Sequence, residues 1–355
     1  MIERVRTFVE IAARDDAWDV SVRSQDAASA GREDLHLKIN RPHYQPDRHV
    51  CQAGESGSAL DEIVTRADSH SLIIINEHHA EPRHRIFISE LAARLRRKGF
   101  THYAAEAFAS TGIEGTGYPQ TGDGYYTSEP MMARSVYRLR QLGYELVAYE
   151  ARQDQFDPFE KDAEKQIRDR EEAQALNLME AVLGKAPDTK ILVHVGHGHA
   201  AEFTPSYPGA IPWMAARLKE KSGIDPLTID LTMCRSEGDA PIFSIQAITP
   251  DGMPIGKATD YLVGFPAKTF ERGRPAYRRV LGDRFVEVPG SLQSQIGPIM
   301  IEARPLGASL EQSPIERLVL LPGDDIPLLL PQGEWSLVRI DETGAVTARA
   351  EVLVE

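Results

Sequence analysis

Acids and imidazoles stand where four short apolar runs of the sequence end. The run ends are Glu77, His78 and His79 after the first, Glu106 after the second, Glu150 after the third, and His197 and His199 after the fourth. Carboxylates and imidazoles at close range are the groups with which enzymes transfer protons and bind metal ions. If the four ends meet, the sequence predicts one polar pocket with the character of an active site.

The segments between these runs have the pattern of helices, which gives a β-α-β-α order. Strands that are joined by helices are parallel, and their carboxyl ends share the edge of the sheet where ligands bind. We therefore predict an α/β fold with a mostly parallel central sheet, flanking helices and a pocket at that edge. The expected helices run from Pro82 to Gly99, from Pro130 to Gly143 and from about Phe159 to Leu183.

Glu77 and His79 fall in the turn between the first strand and the helix that starts at Pro82. Free backbone N–H groups and the helix dipole make this helix end positive. A positive end favours the neutral imidazole, which accepts a proton or binds a metal ion. A single histidine here would most simply cap the turn. Two histidines beside a glutamate, matched by a second histidine cluster, favour a function.

The second cluster has the order His194, Gly196, His197, Gly198, His199. The glycines allow a sharp turn and a close approach of the backbone to a bound group. The spacing of the histidines is not a standard zinc pattern. His194 lies inside the strand, where a hydrogen-bonded core histidine is expected, and we take His199 as the functional member.

Arg170 and Glu171 fall on the stripe of the third helix that should face the core. That stripe is Ala163, Ile167, Gln174, Leu178 and Val182. Ionisable side chains are rarely buried unless they are paired. A surface ion pair with Glu164 explains them about equally well. If Arg170 faces the pocket, it can hold a carboxylate or stabilise a developing oxyanion.

A glycine-rich stretch from Gly112 to Tyr126 leads away from the ligand edge of the sheet. It lacks the spacing of a nucleotide-binding loop, but its tyrosines can line a pocket or form a lid. With the neighbouring acids and imidazoles it completes a set of candidate substrate contacts. That set is His78, His84, Tyr125, Glu150, Glu171 and His197.

Charge and composition limit the classes of partner that the protein is expected to bind. The chain has 355 residues, 40 Lys and Arg against 53 Asp and Glu, and a net charge of -13. No basic field would attract a nucleic acid, so a small-molecule or peptide substrate is expected. No segment approaches the roughly 20 apolar residues of a membrane span. The start of the chain lacks a secretory signal, so we expect a cytoplasmic protein, or a periplasmic or exported one if a signal was removed.

Cys51 and Cys234 are the only cysteines, which excludes a disulfide scaffold and a thiolate zinc cluster. They can pair in an oxidising compartment, and the sequence leaves that pairing open.

The pattern changes after Gly290 to short apolar runs that are separated by turn residues. Such runs favour a small antiparallel β-sandwich. We therefore predict an α/β catalytic-type domain over residues 1–285, with a core from about residue 61 and an N-terminal segment that is irregular apart from one amphipathic helix near the start. Residues 290–355 would form a β-rich accessory domain.

Over about residues 70–205 the chain resembles the superfamily that joins erythromycin esterases, ChaN-type lipoproteins linked to haem uptake, and Tiki/TraB-type proteases. That superfamily has a Gly-Glu-x-His or Gly-Glu-x-x-His turn after the first strand, a Glu ending the second, an Arg-Glu pair on a helix and a late Gly-x-x-His or Gly-x-Gly-His turn. The matching residues here are Glu77 and His79, Glu106, Arg170 and Glu171, and Gly196, Gly198 and His199.

The resemblance implies hydrolysis of an ester, amide or peptide by an activated water. His79 would act as general base, oriented by Glu77 or Glu106, while His199 donates a proton and Arg170 stabilises charge. In a metal-dependent variant, Glu77, His79 and His199 would bind a divalent ion. Two alternatives remain: a haem- or metal-binding protein without catalysis, as the ChaN-type relatives imply, and a non-catalytic interaction protein.

Overall fold

The computed structural model describes residues 17–39, 49–52, 58–109, 113, 115, 117–155, 157, 159–184, 188–203, 210–249, 251–293 and 296–355. Its helices are α1 (Ala17–Ser29), α2 (Glu33–Ile39), α3 (Ala59–Arg66), α4 (Pro82–Arg96), α5 (Pro130–Gln141), α6 (Ala163–Leu178), α7 (Met214–Ser222) and α8 (Tyr277–Val280). Short 3-10 turns cover Ala67–Ser69, His197–Ala200 and Gly290–Leu292, and Met179–Leu183 forms a π-type turn.

The strands fall into a central group and a later one. The first group is β1 (Val50–Cys51), β2 (Leu72–Glu77), β3 (Phe100–Ala105), β4 (Glu145–Val147), β5 (Lys190–Gly196), β6 (Leu227–Asp230), β7 (Ile242–Ser244), β8 (Ala247–Ile248) and β9 (Tyr261–Gly264). The second group is β10 (Phe270–Glu271), β11 (Arg274–Pro275), β12 (Arg284–Val286), β13 (Ile299–Pro305), β14 (Glu316–Leu320), β15 (Leu328–Leu330), β16 (Gly333–Ile340) and β17 (Val346–Val354).

A seven-stranded sheet with the order β4-β3-β5-β2-β6-β9-β7 forms the centre of the molecule. Every pairing in it is parallel except that of β7, which runs antiparallel to β9. The mixed α/β fold with a mostly parallel sheet is thus confirmed. The register places Glu77 beside Gly196 and Ala105 beside His194, so the carboxyl ends of β2, β3 and β5 meet.

Alternate residues of β2 fill the two cores of the domain. Ile73 and Ile75 pack with apolar residues of α4 and α5, whereas Leu72 and Ile74 pack with those of α6 and α7. All four side chains are fully buried, and each burial stabilises the fold by about 1.5 to 3 kcal/mol. Helices therefore cover both faces of the sheet, and only its edges are left to form a pocket.

The starts predicted for the first two helices, both at a proline, are confirmed, whereas the start predicted for the third helix is wrong. Helices α4 and α5 begin at the expected prolines. Helix α6 begins later than predicted, because the Asp162 side chain accepts a hydrogen bond from the Lys165 N–H at 3.0 Å and caps it. The predicted inward stripe is wrong in its first half, where Ile167 is 37 % exposed, and correct at Leu178.

The N-terminal segment, predicted to be mostly irregular, contains helices α1, α2 and α3 within the described residues. The first two pack on the later strands: the Val319 N–H donates to Ala30 O at 2.9 Å, and Arg32 Nη1 lies 2.7 Å from Asp324 Oδ2. Polar stretches obscured this pattern, because the buried apolar stripe, which includes Ala27 and Ala30, is narrow, and several of the other buried side chains are charged, such as Arg32 and Glu33.

An antiparallel sheet with the order β14-β13-β16-β17 follows, as predicted for the C-terminal region. Strand β12 pairs antiparallel with β15 and shares one apolar core with this sheet. Strand β12, which straddles residue 285, was not predicted. The sandwich arrangement and the division into two domains stay predictions.

Cys51 and Cys234 form a disulfide in this structure, with Cα atoms 5.2 Å apart and both residues buried. It attaches β1 to the loop that follows β6. Within the described ranges, the helices are all too short or too polar to cross a bilayer.

A buried ion network joins the α/β part to the C-terminal sheet. Glu316 on β14 accepts hydrogen bonds from both Arg274 and Arg278. Arg278 also pairs with Asp283, which accepts from Arg134 of α5 at 2.9 Å. Each of these carboxylates is buried, so the charges depend on one another for compensation.

We predict that Glu316→Gln lowers the free energy of unfolding by about 3 to 5 kcal/mol, because it leaves two buried guanidinium groups short of negative charge. Chemical denaturation measures the change. Glu287→Gln is the matched control: Glu287 pairs with Arg272 at the surface, and its loss should leave the denaturation midpoint unchanged. Equal effects from the two variants would contradict the role given to the network.

Candidate active site

Three strand ends bring the predicted groups to one edge of the sheet. Glu77 is the last residue of β2, Gly196 is the last residue of β5, and Glu106 directly follows β3. The Glu106 N–H continues the ladder by donating to His194 O at 3.1 Å. Strand β4 ends at Val147, earlier than predicted, and Glu150 lies three residues beyond it. The structure thus gathers side chains that are up to 122 residues apart in sequence, from Glu77 to His199.

Glu77 is a buried carboxylate that holds His79. Its Oε1 lies 2.9 Å from His79 Nδ1, and Arg85 donates to both of its oxygens at 2.7 and 2.8 Å. Burial on its own raises the pKa of Glu77, but Arg85 and His194 outweigh burial and hold that pKa well below its usual range. Glu77 therefore stays ionised and can only accept hydrogen bonds.

The charge on Glu77 determines which nitrogen of the His79 ring faces it as a donor. Because Glu77 only accepts, His79 Nδ1 carries the hydrogen and Nε2 is left with a lone pair. The ring stacks on Tyr126, with centroids 4.5 Å apart. An imidazole oriented in this way by a carboxylate is the arrangement of a general base.

Gly196 allows His79 and Glu106 to approach the backbone of β5. A Cβ at this position would lie 2.3 Å from His79 Nε2 and 3.0 Å from Glu106 Oε2. Its N–H donates to Glu106 Oε2 at 2.6 Å. A glycine is therefore required here for close approach, as the sequence suggested, and it places the free nitrogen of His79 near the Glu106 carboxylate.

A second carboxylate–imidazole pair lies across the site. Glu171 Oε1 is 2.8 Å from His199 Nδ1, and its Oε2 accepts from the Met214 N–H at the start of α7, at 2.7 Å. Burial alone lowers the pKa of His199, but Glu106 and Glu171 outweigh burial and raise it above the usual 6.5. His199 is thus suited to carry a proton, whereas His79 is arranged to accept one.

Arg170 lies between the two pairs. It donates to Glu106 Oε1 at 2.6 Å, contacts both oxygens of Glu150, and has Nη1 3.3 Å from His199 Nε2. The inward orientation that the sequence left open is therefore present. The surface pair with Glu164 exists too, but it is made by Arg168 at 3.3 Å. Arg170 orients two carboxylates as well as supplying charge.

The Glu106 carboxylate faces both halves of the site. Burial raises its pKa, but His199, Arg170 and His79 outweigh burial and hold that pKa well below its usual range. Glu106 is therefore ionised. The cavity between it and His79 has a volume of about 10 Å³, which is about the room of one water molecule. It is lined by Glu77, His79, Glu106, Ala107, Tyr126, Met132, His194, Val195 and Gly196.

None of the six predicted substrate contacts is among the residues that line this cavity, and two of them, His84 and Tyr125, are directed elsewhere. His84 is buried, accepts a hydrogen bond from the His78 N–H at 3.2 Å and packs against Phe265, so the arrangement does not support contact with a substrate. Tyr125 is 74 % exposed and touches only the edge of Tyr126 among the aromatic rings described. Tyr126 is the tyrosine that lines the cavity. Part of the predicted 112–126 loop, including Gly112, lies outside the described residues.

His78 and His197 form a ring cluster beside His79. The His197 ring is 4.8 Å from that of His79 and 4.9 Å from that of His78, edge to face in both cases. His197 has a φ of +39°, an unusual backbone conformation for a residue with a side chain. Asn76 holds it there by donating to its carbonyl at 2.7 Å while accepting from the Leu231 N–H.

Arg85 and Tyr126 were not identified from the sequence. Arg85 carried a signal, because it shares the inward face of α4 with Ile88 and is fully buried. A charged residue on that buried face, a few residues after Glu77 and His79, indicates an ion pair with the buried acid. The local sequence has no pattern that distinguishes Tyr126 from Tyr125.

The side chains at the site do not form a preassembled metal centre. Glu77 uses both oxygens on Arg85, His79 and His194. Over the parts of the chain that the structure describes, no three His, Cys, Asp or Glu side chains are placed to hold a metal ion. The metal-dependent variant with Glu77, His79 and His199 gains no support from this geometry, and it stays a prediction, as does haem binding.

No model of a known protein family matches the chain, and no curated protein does either. Among solved structures, the type III effector HopBA1 is 14% identical over 61% of this chain and 96% of its own, with a TM-score of 0.42. A bacterial protein toxin is 16% identical over 50% and 37%, with a TM-score of 0.34. RRSP, a MARTX toxin effector domain from Vibrio vulnificus CMCP6, is 14% identical over 67% and 42%, with a TM-score of 0.31. These likenesses are too distant to bear on the function.

We predict that Gly196→Ala lowers the free energy of unfolding by about 1 to 3 kcal/mol, because the added methyl group overlaps the His79 ring. Denaturant titration measures this change. The matched control is Gly122→Ala, where a Cβ meets no atom within 4 Å. If the two variants were equally stable, the close approach of His79 to β5 would be refuted.

Proposed function

We propose that this protein is a hydrolase of esters, amides or peptides that uses a water activated by His79. One observation carries the proposal: His79 is held by Glu77 at 2.9 Å with its other nitrogen toward a water-sized cavity shared with Glu106. A general base must present a lone pair within hydrogen-bond reach of the water that it deprotonates.

The steps follow from the proton positions. His79 Nε2 takes a proton from water as the oxygen attacks the acyl carbon, and Glu77 stabilises the imidazolium that forms. His199, charged and held by Glu171, then gives its proton to the leaving oxygen or nitrogen as the acyl bond breaks. The proton on His79 passes to solvent, and His199 takes one back. Arg170 balances the negative charge of Glu106 and Glu150 throughout this sequence.

We also propose membership of the superfamily of erythromycin esterases, ChaN-type and Tiki/TraB-type proteins. The support is that the residues matched on the motifs converge although they come from four separate segments. They are Glu77, His79, Glu106, Arg170, Glu171 and His199. Asn76 stands where those motifs carry a glycine, and here its side chain bonds His197 and Leu231.

A screen of ester, amide and peptide substrates tests the proposal. Against a substrate that the screen identifies, His79→Ala should reduce kcat by about 10² to 10⁴, because the general base is lost. His102→Ala is the control, since His102 pairs with Glu145 at the far end of β3. Turnover by His79→Ala at the wild-type rate would contradict the mechanism. Loss of activity on exhaustive chelation would favour the metal-dependent variant instead.

The pH profile tests the part given to His199. The acid must be protonated, so the rate should fall as pH rises through the pKa of His199, which lies above 6.5. Glu171→Gln removes a charge that raises this pKa, so the alkaline limb should move to lower pH. Glu172→Gln is the control, because Glu172 pairs with Arg217 and Lys221 outside the site. An alkaline limb that stays in place in Glu171→Gln would show that His199 is not the acid.

A further inference from the structure

A hydrogen-bonded chain extends from the back of the Glu77–His79 pair into the core. His194 Nε2 lies 3.0 Å from Glu77 Oε2, and Tyr103 Oη lies 2.7 Å from His194 Nδ1. Tyr103 and His194 are 1 % and 3 % exposed. Both residues stand on strands, so neither is free to move with a loop. The mechanism proposed above gives them no part.

The proton positions along this chain follow from its two ends. Burial and the charge of Glu77 raise the pKa of Tyr103 well above 10.0, so its hydroxyl stays protonated. A neutral phenol donates to a bare imidazole nitrogen, and an ionised Glu77 accepts from a protonated one. A neutral His194 ring therefore carries its hydrogen on Nε2 and directs it at Glu77.

The donors at Glu77 show how His194 can affect the orientation of His79. Oε1 faces Arg85 Nη2 and His79 Nδ1, while Oε2 faces Arg85 Nε and His194 Nε2. Each oxygen therefore has two donors, and rotation of the carboxylate would break all four hydrogen bonds. Without His194, Oε2 keeps only Arg85, so the carboxylate loses one of the four hydrogen bonds that hold it and orients His79 less firmly.

We propose that His194 and Tyr103 are positioning residues that lock the Glu77 carboxylate and thereby the direction and tautomer of the His79 ring. The part concerning turnover rests on the proposed hydrolase function. The part concerning ring protons does not, so the two can be tested separately.

Imidazole nitrogen NMR on the full chain tests the ring protons. In the wild type, His79 should show a protonated Nδ1 and His194 a protonated Nε2. In Tyr103→Phe, His194 should keep its hydrogen on Nε2, where Glu77 accepts it, but its Nδ1 signal should move because the phenol no longer donates to it. In His194→Leu, His79 should lose its single tautomer, whereas His194→Gln, whose amide N–H can still donate to Glu77, should preserve it. Tyr149→Phe is the matched control, because Tyr149 bonds only the backbone carbonyl of His194.

Kinetics with the substrate found by the screen test the consequence for turnover. Tyr103→Phe and His194→Leu should each lower kcat about 10-fold with KM changed less than about twofold, as is typical of groups that orient an imidazole. His194→Gln should recover most of the loss. Unchanged His79 signals in both Tyr103→Phe and His194→Leu, or a wild-type His194 protonated on Nδ1, would overturn the proposal. Correct tautomers without any hydrolysis would refute the hydrolase function alone.

Discussion

The charge on Glu77 is the constraint on which the site depends. A buried carboxylate costs several kcal/mol to desolvate, and it stays ionised only when donors and opposite charge surround it. Arg85 provides that charge from the first turn of α4, and Glu129 balances Arg85 at 2.7 Å. Glu129 in turn accepts from the Met131 and Met132 N–H groups and caps α5. The charge of one residue at the end of β2 therefore determines how two helices begin.

The second half of the site follows the same principle with different elements. Glu171 is buried on α6, binds His199 and accepts the Met214 N–H at the start of α7. Both acids thus hold an imidazole, and both networks end at a helix N-terminus, where the free N–H groups favour negative charge. Glu106 and Arg170 join the two networks, so the histidines are oriented relative to one another and not only to their own partners.

Residue positions could be predicted from the sequence where the repeat of a strand or helix determines which side chains are buried. The strand ends at Glu77 and Glu106 followed from apolar runs, because parallel strands share an edge. His194 was expected to be a hydrogen-bonded core residue. Its partners could not be foreseen, although strand alternation places it on the same face as Leu192. Loop residues have no such repeat. Tyr125 was therefore predicted as the substrate contact, whereas Tyr126 lines the cavity.

The helices α1 and α2 could not be predicted for a related reason. Their buried stripes are narrow, and much of what they hide is charged, as with Glu33, which lies 2.6 Å from Lys268. Periodicity detects apolar faces and does not detect ion pairs between distant segments. The same limit concealed the pairing of Cys51 with Cys234, which depends on how β1 meets the loop after β6.

These N-terminal helices connect the C-terminal sheet with the candidate active site. Tyr126 stacks on His79, lies 5.1 Å from the Arg85 guanidinium and donates through its hydroxyl to Gln25 of α1 at 3.0 Å. Helix α1 is followed by Ala30, whose carbonyl accepts from Val319 of β14. The ring that packs on His79 is therefore supported from behind by a helix that the C-terminal sheet holds in place. The C-terminal sheet can thus contribute to the site, because it fixes the wall against which the imidazole rests.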